Sequence, residues 1–133
     1  MQNIVVWGII LSEIINPDIK MQIITKTLTI NELQEIAANT FGALVKAVVD
    51  TERELIALDA ELHSDLEALL LEDGSKQRNL WGINLYPQAK PDEFIEFDSV
   101  INIRPSQGNR SRSVEDDQIR RKITEIVAKI IKR

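Results

Sequence analysis

The sequence predicts a single α+β domain in which a mainly antiparallel sheet of four or five strands packs against two or three helices. Short β-branched runs alternate with turn residues, as they do in hairpins. Each helical segment carries one apolar stripe, and a sheet face can cover such a stripe. With 133 residues, 44% of them apolar and 28% charged, the chain is long enough for one core.

Local signals define the start of the domain. Residues 22–26 favour β structure. Thr29 and Glu32 have the spacing of a capping box, in which the side chain of each residue bonds the backbone amide of the other. They predict a helix over residues 30–40, and Gly42 provides its C-terminal stop.

Residues 44–59 allow two interpretations. A hairpin would place strands at 44–50 and 54–59, and a helix would use the leucines that recur near helical spacing. Three β-branched residues favour the hairpin, which we therefore adopt: Val45, Val48 and Val49.

The middle of the chain continues with a helix and two strands. Ser64 is a suitable N-cap for a helix rich in strong helix formers, which Asp73 and Gly74 end. A strand follows over residues 80–87, in which Gly82 marks a bulge or a close backbone approach. Residues 94–103 read as a long second strand.

A last helix closes the chain. Ser113 and Asp116 have the spacing of a capping box, and lysine and arginine at the other end match the helix dipole. One apolar stripe runs along this helix: Ile119, Ile123, Ile126, Val127 and Ile130.

The net charge of −5 is distributed unevenly along the chain. Residues 1–103 carry a net charge of −10 and residues 104–133 a net charge of +5. The acidic part argues against non-specific nucleic-acid binding by the whole surface, whereas the basic end suits a local anionic ligand or an acidic neighbour. There is no cysteine, which excludes disulfides and thiolate chemistry and fits a cytoplasmic protein.

Residues 1–20 form an N-terminal extension in this interpretation, and the domain itself covers residues 21–133. Translation from Met21 would leave the extension upstream of the true start. Its apolar run, residues 4–11, is far shorter than the ~20 residues that a membrane span needs, so we expect no membrane association. An apolar run of this kind is compatible with a homodimer.

A polar, arginine-bearing loop at residues 104–112 is the first candidate site. Arginine forks match phosphate and carboxylate geometry, and Gly108 allows close backbone approach. The alternative is an intramolecular network between these arginines and the acidic residues 115–117. The candidate ligand-binding residues are Arg104, Gln107, Asn109, Arg110 and Arg112, together with Asn84 on the preceding strand.

The only histidine gives a second candidate site. His63 lies beside Asp65 and Glu67, and histidine with carboxylates is suited to acid–base catalysis near neutral pH. The alternative is that His63 borders a helix and bonds a neighbour. One histidine cannot build a multi-histidine metal site, and known nucleotide and catalytic motifs are missing, so we predict no metal and no cofactor.

Four blocks of the sequence resemble a known family. They are AVVD (47–50), ELHSDLEALLLEDGS (61–75), LWGINLYP (80–87) and EFDSVINIRPSQGNRSRSVED (96–116). They are similar to an uncharacterised family of small prokaryotic proteins, catalogued as a domain of unknown function. The resemblance covers residues 21–133 and implies that the domain starts near Met21. It implies no activity, cofactor or catalytic residue.

Three functional hypotheses follow. The first is a binding module whose 104–112 loop receives an anionic group from a nucleotide, an RNA or an acidic partner. The second is a hydrolase or phosphodiesterase with His63 as general acid/base and the arginines stabilising charge. The third is a regulatory protein–protein partner.

Overall fold

A computed structural model describes residues 5–6, 9–10 and 21–133. Strand β1 (Val5–Val6) pairs antiparallel with β2 (Ile9–Ile10). The predicted role of residues 1–20 as an extension that supports a dimer concerns residues that otherwise lie outside the described part. It stays a prediction.

The main sheet has five strands, and each pair of neighbouring strands is antiparallel. Their order across the sheet is β3-β6-β5-β7-β8. Outside it, β4 (Leu28–Thr29) pairs parallel with β9 (Ile131–Lys132), which ties the two ends of the domain together. The five strands are β3 Gln22–Ile24, β5 Val45–Asp50, β6 Leu55–Leu58, β7 Leu80–Leu85 and β8 Ile95–Glu96.

Within residues 21–133, three α-helices cover the two faces of this sheet. They are α1 Ile30–Ala38, α2 His63–Glu72 and α3 Asp117–Ile130. Four short 3-10 helices lie between the longer elements: Gln77–Asn79, Pro91–Glu93, Val100–Asn102 and Pro105–Gln107. The predicted α+β class, with its antiparallel sheet and helices, is confirmed.

Alternation along the strands divides the core into two layers. Ala47 and Val49 of β5 point toward α1 and α3, where the larger cluster lies. Val48 points to the other face, against Leu66 and Leu70 of α2. Side chains two positions from Val48 therefore share the α2 face of the sheet.

Two local predictions are confirmed. Thr29 and Glu32 form the capping box, with the Glu32 amide donating to Thr29 Oγ1 at 3.1 Å and the Thr29 amide donating to Glu32 Oε1 at 2.9 Å. Strands β5 and β6 form the hairpin. Its turn is held by Asp50, whose Oδ1 accepts the backbone N–H groups of Glu52 and Arg53 at 2.9 Å each.

Both later helices begin at residues other than those predicted. Helix α2 starts at His63, with Leu62 as an N-cap that makes no side-chain hydrogen bond, so Ser64 is not its cap. Helix α3 starts at Asp117. The Asp116 side chain caps it by accepting from the amides of Gln118 and Ile119, so the predicted capping box with Ser113 is wrong.

The long strand over residues 94–103 is also wrong. Strand β8 ends at Glu96, and the chain then turns into the 3-10 helix at Val100–Asn102. Gly82 pairs in regular register with Val48, so it forms no bulge. Its predicted role in close approach is confirmed, because a Cβ there would lie 2.5 Å from the Cβ of Ser99.

Candidate functional site

His63 opens helix α2 over the middle of the sheet and is only 8% exposed. Its Nε2 lies 2.8 Å from the carbonyl oxygen of Ile83 on β7. Because a carbonyl oxygen can only accept, Nε2 carries the proton and Nδ1 is unprotonated in the neutral ring. Burial lowers the pKa of His63 below its usual 6.5, so the imidazole is neutral at pH 7.

Asn84 lies next to Ile83 and points to the α2 face, in register with Lys46 of β5 and Glu96 of β8. Its Nδ2 donates to Glu96 Oε1 at 2.8 Å and to the Asp98 carbonyl at 3.3 Å. Both acceptors fix which end of the amide is nitrogen. The other end, Oδ1, is buried and has no donor.

Two carboxylates border Asn84. Glu96 Oε1 also accepts from the Tyr86 hydroxyl at 2.9 Å, and burial together with this bond raises the pKa of Tyr86. Asp98 accepts from Arg112 in a two-pronged pair, with Nε at 2.7 Å and Nη2 at 3.2 Å. That pairing lowers the pKa of Asp98.

Basic groups from three elements act on Asp98. The hydrogen-bonded Arg112 of the 104–112 loop lowers the pKa of Asp98 most, and the charges of Lys46 on β5 and of a protonated His63 on α2 lower it further. We call the following residues the Asp98 cluster: Lys46, His63, Asn84, Glu96, Asp98 and Arg112. Arg112 and Asp98 are open to solvent, with side chains 52% and 42% exposed.

Arg104, the first arginine of the loop, is buried, and its guanidinium bonds backbone carbonyls of the protein. Its Nε donates to Ile101 O at 3.0 Å, its Nη1 to Gln77 O at 2.8 Å and its Nη2 to Leu80 O. The guanidinium carbon lies 4.6 Å from the centroid of the Trp81 ring. Burial lowers its pKa, and the residue is only 8% exposed.

Asn109 and Gln107 hold the same loop in shape. Asn109 Nδ2 donates to Asn102 O and Ser113 O, each at 2.7 Å, and its Oδ1 accepts from the Glu115 amide at 2.8 Å. Gln107 Nε2 donates to Arg78 O at 3.2 Å. Asn109 thus satisfies backbone groups of a segment that forms only one isolated β-bridge, and Gln107 connects this segment to the 3-10 helix Gln77–Asn79.

Arg110 presents an exposed side chain at the tip of the loop. Its backbone amide and that of Ser111 donate to Glu115 Oε2 at 2.9 and 2.8 Å. Hydrogen bonds from these two residues lower the pKa of Glu115. The amide of Glu115 donates to Asn109 Oδ1, so it is not available to an anion just before the start of α3.

The structure therefore brings Asn84 and Arg112 of the first candidate site into the same region as His63 of the second. The two carboxylates predicted to work with His63 lie elsewhere on α2. Asp65 is exposed, and Glu67 accepts from Gln77 Nε2 at 3.5 Å. The charges that act on His63 come from Lys46 and Asp98 instead.

Sequence reasoning missed Lys46, Glu96 and Asp98. Lys46 carries a usable signal, because it is the one charged residue inside the apolar run Leu44–Val49. A lysine at that position of a central strand indicates a polar environment on one sheet face. Glu96 and Asp98 could not be recognised, since the long strand predicted there does not exist.

Two further properties concern only the described residues. Among residues 21–133, no three His, Cys, Asp or Glu side chains come together in a way that could hold a metal ion. In the same part of the chain, no helix combines the length and apolar character that crossing a bilayer requires.

The fold and the cluster together define a small α+β domain with charged groups gathered at one end of its sheet. The chain belongs to the family described as "Protein of unknown function (DUF5674)", whose model matches residues 22–130. This confirms the predicted membership of an uncharacterised family. Comparison with curated proteins and with solved structures found no match.

Proposed function

We propose that this protein is a binding domain for an anionic group, a phosphate or a carboxylate, and that the Asp98 cluster holds that group. One observation carries the proposal: Arg112 holds the exposed carboxylate of Asp98 in its fork, and basic groups of two other elements, Lys46 and His63, act on the same carboxylate through their charge. The Asp98 carboxylate occupies the fork of Arg112 in the way that an external anion would. Arg110 lies two residues away on the same loop and supplies further positive charge.

Replacement of Asp98 by a ligand is physically reasonable. The pair between Asp98 and Arg112 is exposed, and exposed ion pairs contribute little to stability. A dianion at the same position interacts more strongly with Arg112 and Lys46 than a single carboxylate does. This keeps the predicted role of Arg112, and it gives Arg104, Gln107 and Asn109 the role of shaping the loop.

The test is a pair of opposite substitutions at the cluster. Sulfate and inorganic phosphate are titrated at low salt and followed by calorimetry. Arg112→Gln removes the fork and should abolish binding. Asp98→Asn removes the competing carboxylate and should strengthen binding several-fold.

Arg121→Gln is the matched control, because Arg121 is an exposed arginine on α3, which covers the other sheet face. It should bind like the parent chain. If Asp98→Asn weakened binding, or if Arg121→Gln weakened it as much as Arg112→Gln, the proposed site would be wrong. Nucleotides, short RNAs and acidic peptides then identify which molecule carries the anion.

A second candidate function is phosphoester hydrolysis with His63 as general base. The hydrogen bond of Nε2 to Ile83 leaves the Nδ1 lone pair to accept a proton, and the lowered pKa keeps it unprotonated at pH 7. The assay is turnover of an activated phosphodiester such as bis(p-nitrophenyl) phosphate. His63→Gln should then remove kcat, while Arg112→Gln should mainly raise KM. Binding of sulfate without turnover would favour the binding domain alone.

A further inference from the structure

The environment of His63 contains an unused hydrogen-bond acceptor. Asn84 as a whole is only 6% exposed, and its Oδ1 is buried and accepts no hydrogen bond. The amide cannot turn to correct this, because its Nδ2 is held by Glu96 and by the Asp98 carbonyl. A buried acceptor without a donor is unfavourable, and this one persists next to a titratable ring.

The imidazole can supply the missing donor only in its charged form. In the neutral ring the single proton is on Nε2 and is directed at Ile83 O. A second proton on Nδ1 makes a new N–H group, and hydrogen bonding to the Asn84 side chain raises the pKa of His63, so it favours this protonated ring. Proton uptake would thus satisfy the acceptor that the neutral state leaves unpaired.

The surrounding groups act on the protonation of His63 in opposite directions. Burial and the ammonium of Lys46 oppose protonation, whereas the carboxylate of Asp98 favours it. The ionisable groups of the neighbouring elements are Lys46 on β5, Tyr86 after β7, Glu96 on β8, Asp98 after it, and Arg112 on the loop. An anion on Arg112 that displaces Asp98 adds negative charge near the ring and frees the Asp98 carboxylate.

We infer that His63 takes up a proton from solvent when an anion binds at Arg112, and that Asn84 Oδ1 accepts the resulting Nδ1–H. This inference rests on the proposed anion site and adds its regulation by pH. Binding and protonation are then linked, so that each strengthens the other. For every pH unit by which the anion raises the titration midpoint of His63, affinity at low pH gains about tenfold over affinity at high pH.

The chain contains one histidine, so its ring signals need no assignment. Nitrogen-detected NMR of the full chain, between about pH 5 and pH 8, reports both the tautomer and the midpoint. Sulfate is the probe, since it stays a dianion over this range, and chloride keeps the ionic strength constant. We expect the Nε2–H tautomer at high pH and a midpoint that rises when sulfate is added.

Two variants separate the parts of the inference. In Arg112→Gln the midpoint should no longer respond to sulfate. In Asn84→Ala the midpoint without sulfate should fall, because the acceptor for Nδ1–H is gone. If Asn84→Ala does not fold, Asn84→Ser, which cannot place an acceptor at the same distance, takes its place.

The outcomes distinguish this inference from the proposed function. Sulfate binding that depends on Arg112 but is equally strong at low and high pH would overturn the proton linkage and leave the anion site standing. No sulfate binding at any pH would overturn both the site and its linkage. In that case an unchanged midpoint in the Asn84 variant would also overturn the proposed Nδ1–H contact, and a lowered midpoint would support it.

Discussion

The side-chain amide of Asn102 pairs with the main chain of Gly82, donating to its carbonyl at 2.9 Å and accepting from its N–H at 2.8 Å. Strand β8 ends at Glu96, so β7 has no strand neighbour at Gly82 on that side. Asn102 supplies the two missing hydrogen bonds from a 3-10 helix. Strand β7 can therefore be longer than its edge neighbour β8 and still have its backbone hydrogen bonds made at Gly82. The same contact requires the chain at Ser99 to pass close to Gly82.

Gly82→Ala should lower the free energy of unfolding by about 1–3 kcal/mol, as overpacking of a filled core does. The new Cβ would meet the Cβ of Ser99 at 2.5 Å and its Oγ at 2.7 Å. Urea denaturation gives the measurement. Gly108→Ala is the control, because nothing lies near its Cβ and only its positive φ of 82° makes alanine unfavourable. Equal losses in the two variants would contradict the close-approach explanation.

Arg104→Lys should destabilise the domain by about 3 kcal/mol, because a lysine cannot reproduce a fork that reaches three carbonyls and stacks on Trp81. Arg110→Lys, at an exposed position of the same loop, should change stability by no more than about 0.5 kcal/mol. Chemical denaturation of both variants tests the difference. If Arg104→Lys left the free energy of unfolding unchanged, Arg104 would not be the residue that holds the loop.

Stability should fall as pH decreases below about 6.5, the ordinary pKa of histidine in an unfolded chain. The folded pKa of His63 is lower than this, so in the window between the two values the unfolded state binds more protons. The loss stops once pH is below the folded pKa. In His63→Gln this part of the pH dependence should disappear from thermal denaturation curves, while the part due to carboxylates at lower pH remains.

Asp116→Ala should destabilise helix α3 by about 1 kcal/mol, the usual effect of removing an N-cap. Its carboxylate accepts from the Gln118 amide at 2.7 Å and the Ile119 amide at 3.3 Å. Asp117→Ala is the control, since Asp117 carries the same charge one residue later without capping. Similar midpoints for the two variants in urea would mean that charge alone, and not the cap, stabilises this end.

Two elements that depend on nearby residues were predicted correctly, whereas the N-caps of α2 and α3, which are also local, were not. The capping box at Thr29 and Glu32 and the hairpin of β5 and β6 are both present. The prediction of a strand over residues 94–103 was wrong because the apolar pattern there is that of a strand, whereas the hydrogen bonds are made with groups distant in the sequence. The Asn102 side chain bonds the backbone of Gly82, and Asn109 donates to the Asn102 carbonyl; a period-two pattern cannot reveal either bond.

The candidate site was likewise predicted only in part from the sequence. Sequence alone pointed to His63 as the single histidine, to Arg112 as an arginine of the polar loop and to Asn84 as a polar residue on a preceding strand. It could not tell that Arg104 is buried against Trp81 while Arg112 is exposed beside Asp98, since both lie in one polar loop. Nor could it bring Lys46 to His63, from which it is separated by a strand and a turn.

The sequence by itself determined the antiparallel α+β class, the helix stripes and the polar loop, because these follow from residue spacing and from the needs of neighbouring backbone groups. Only the tertiary structure decided which polar side chains are used to complete backbone hydrogen bonds and which gather around Asp98. That choice depends on burial and on contacts between residues far apart in the chain. Burial and these long-range contacts arise from the packing of the sheet against α2, and the order of residues within one segment does not determine them.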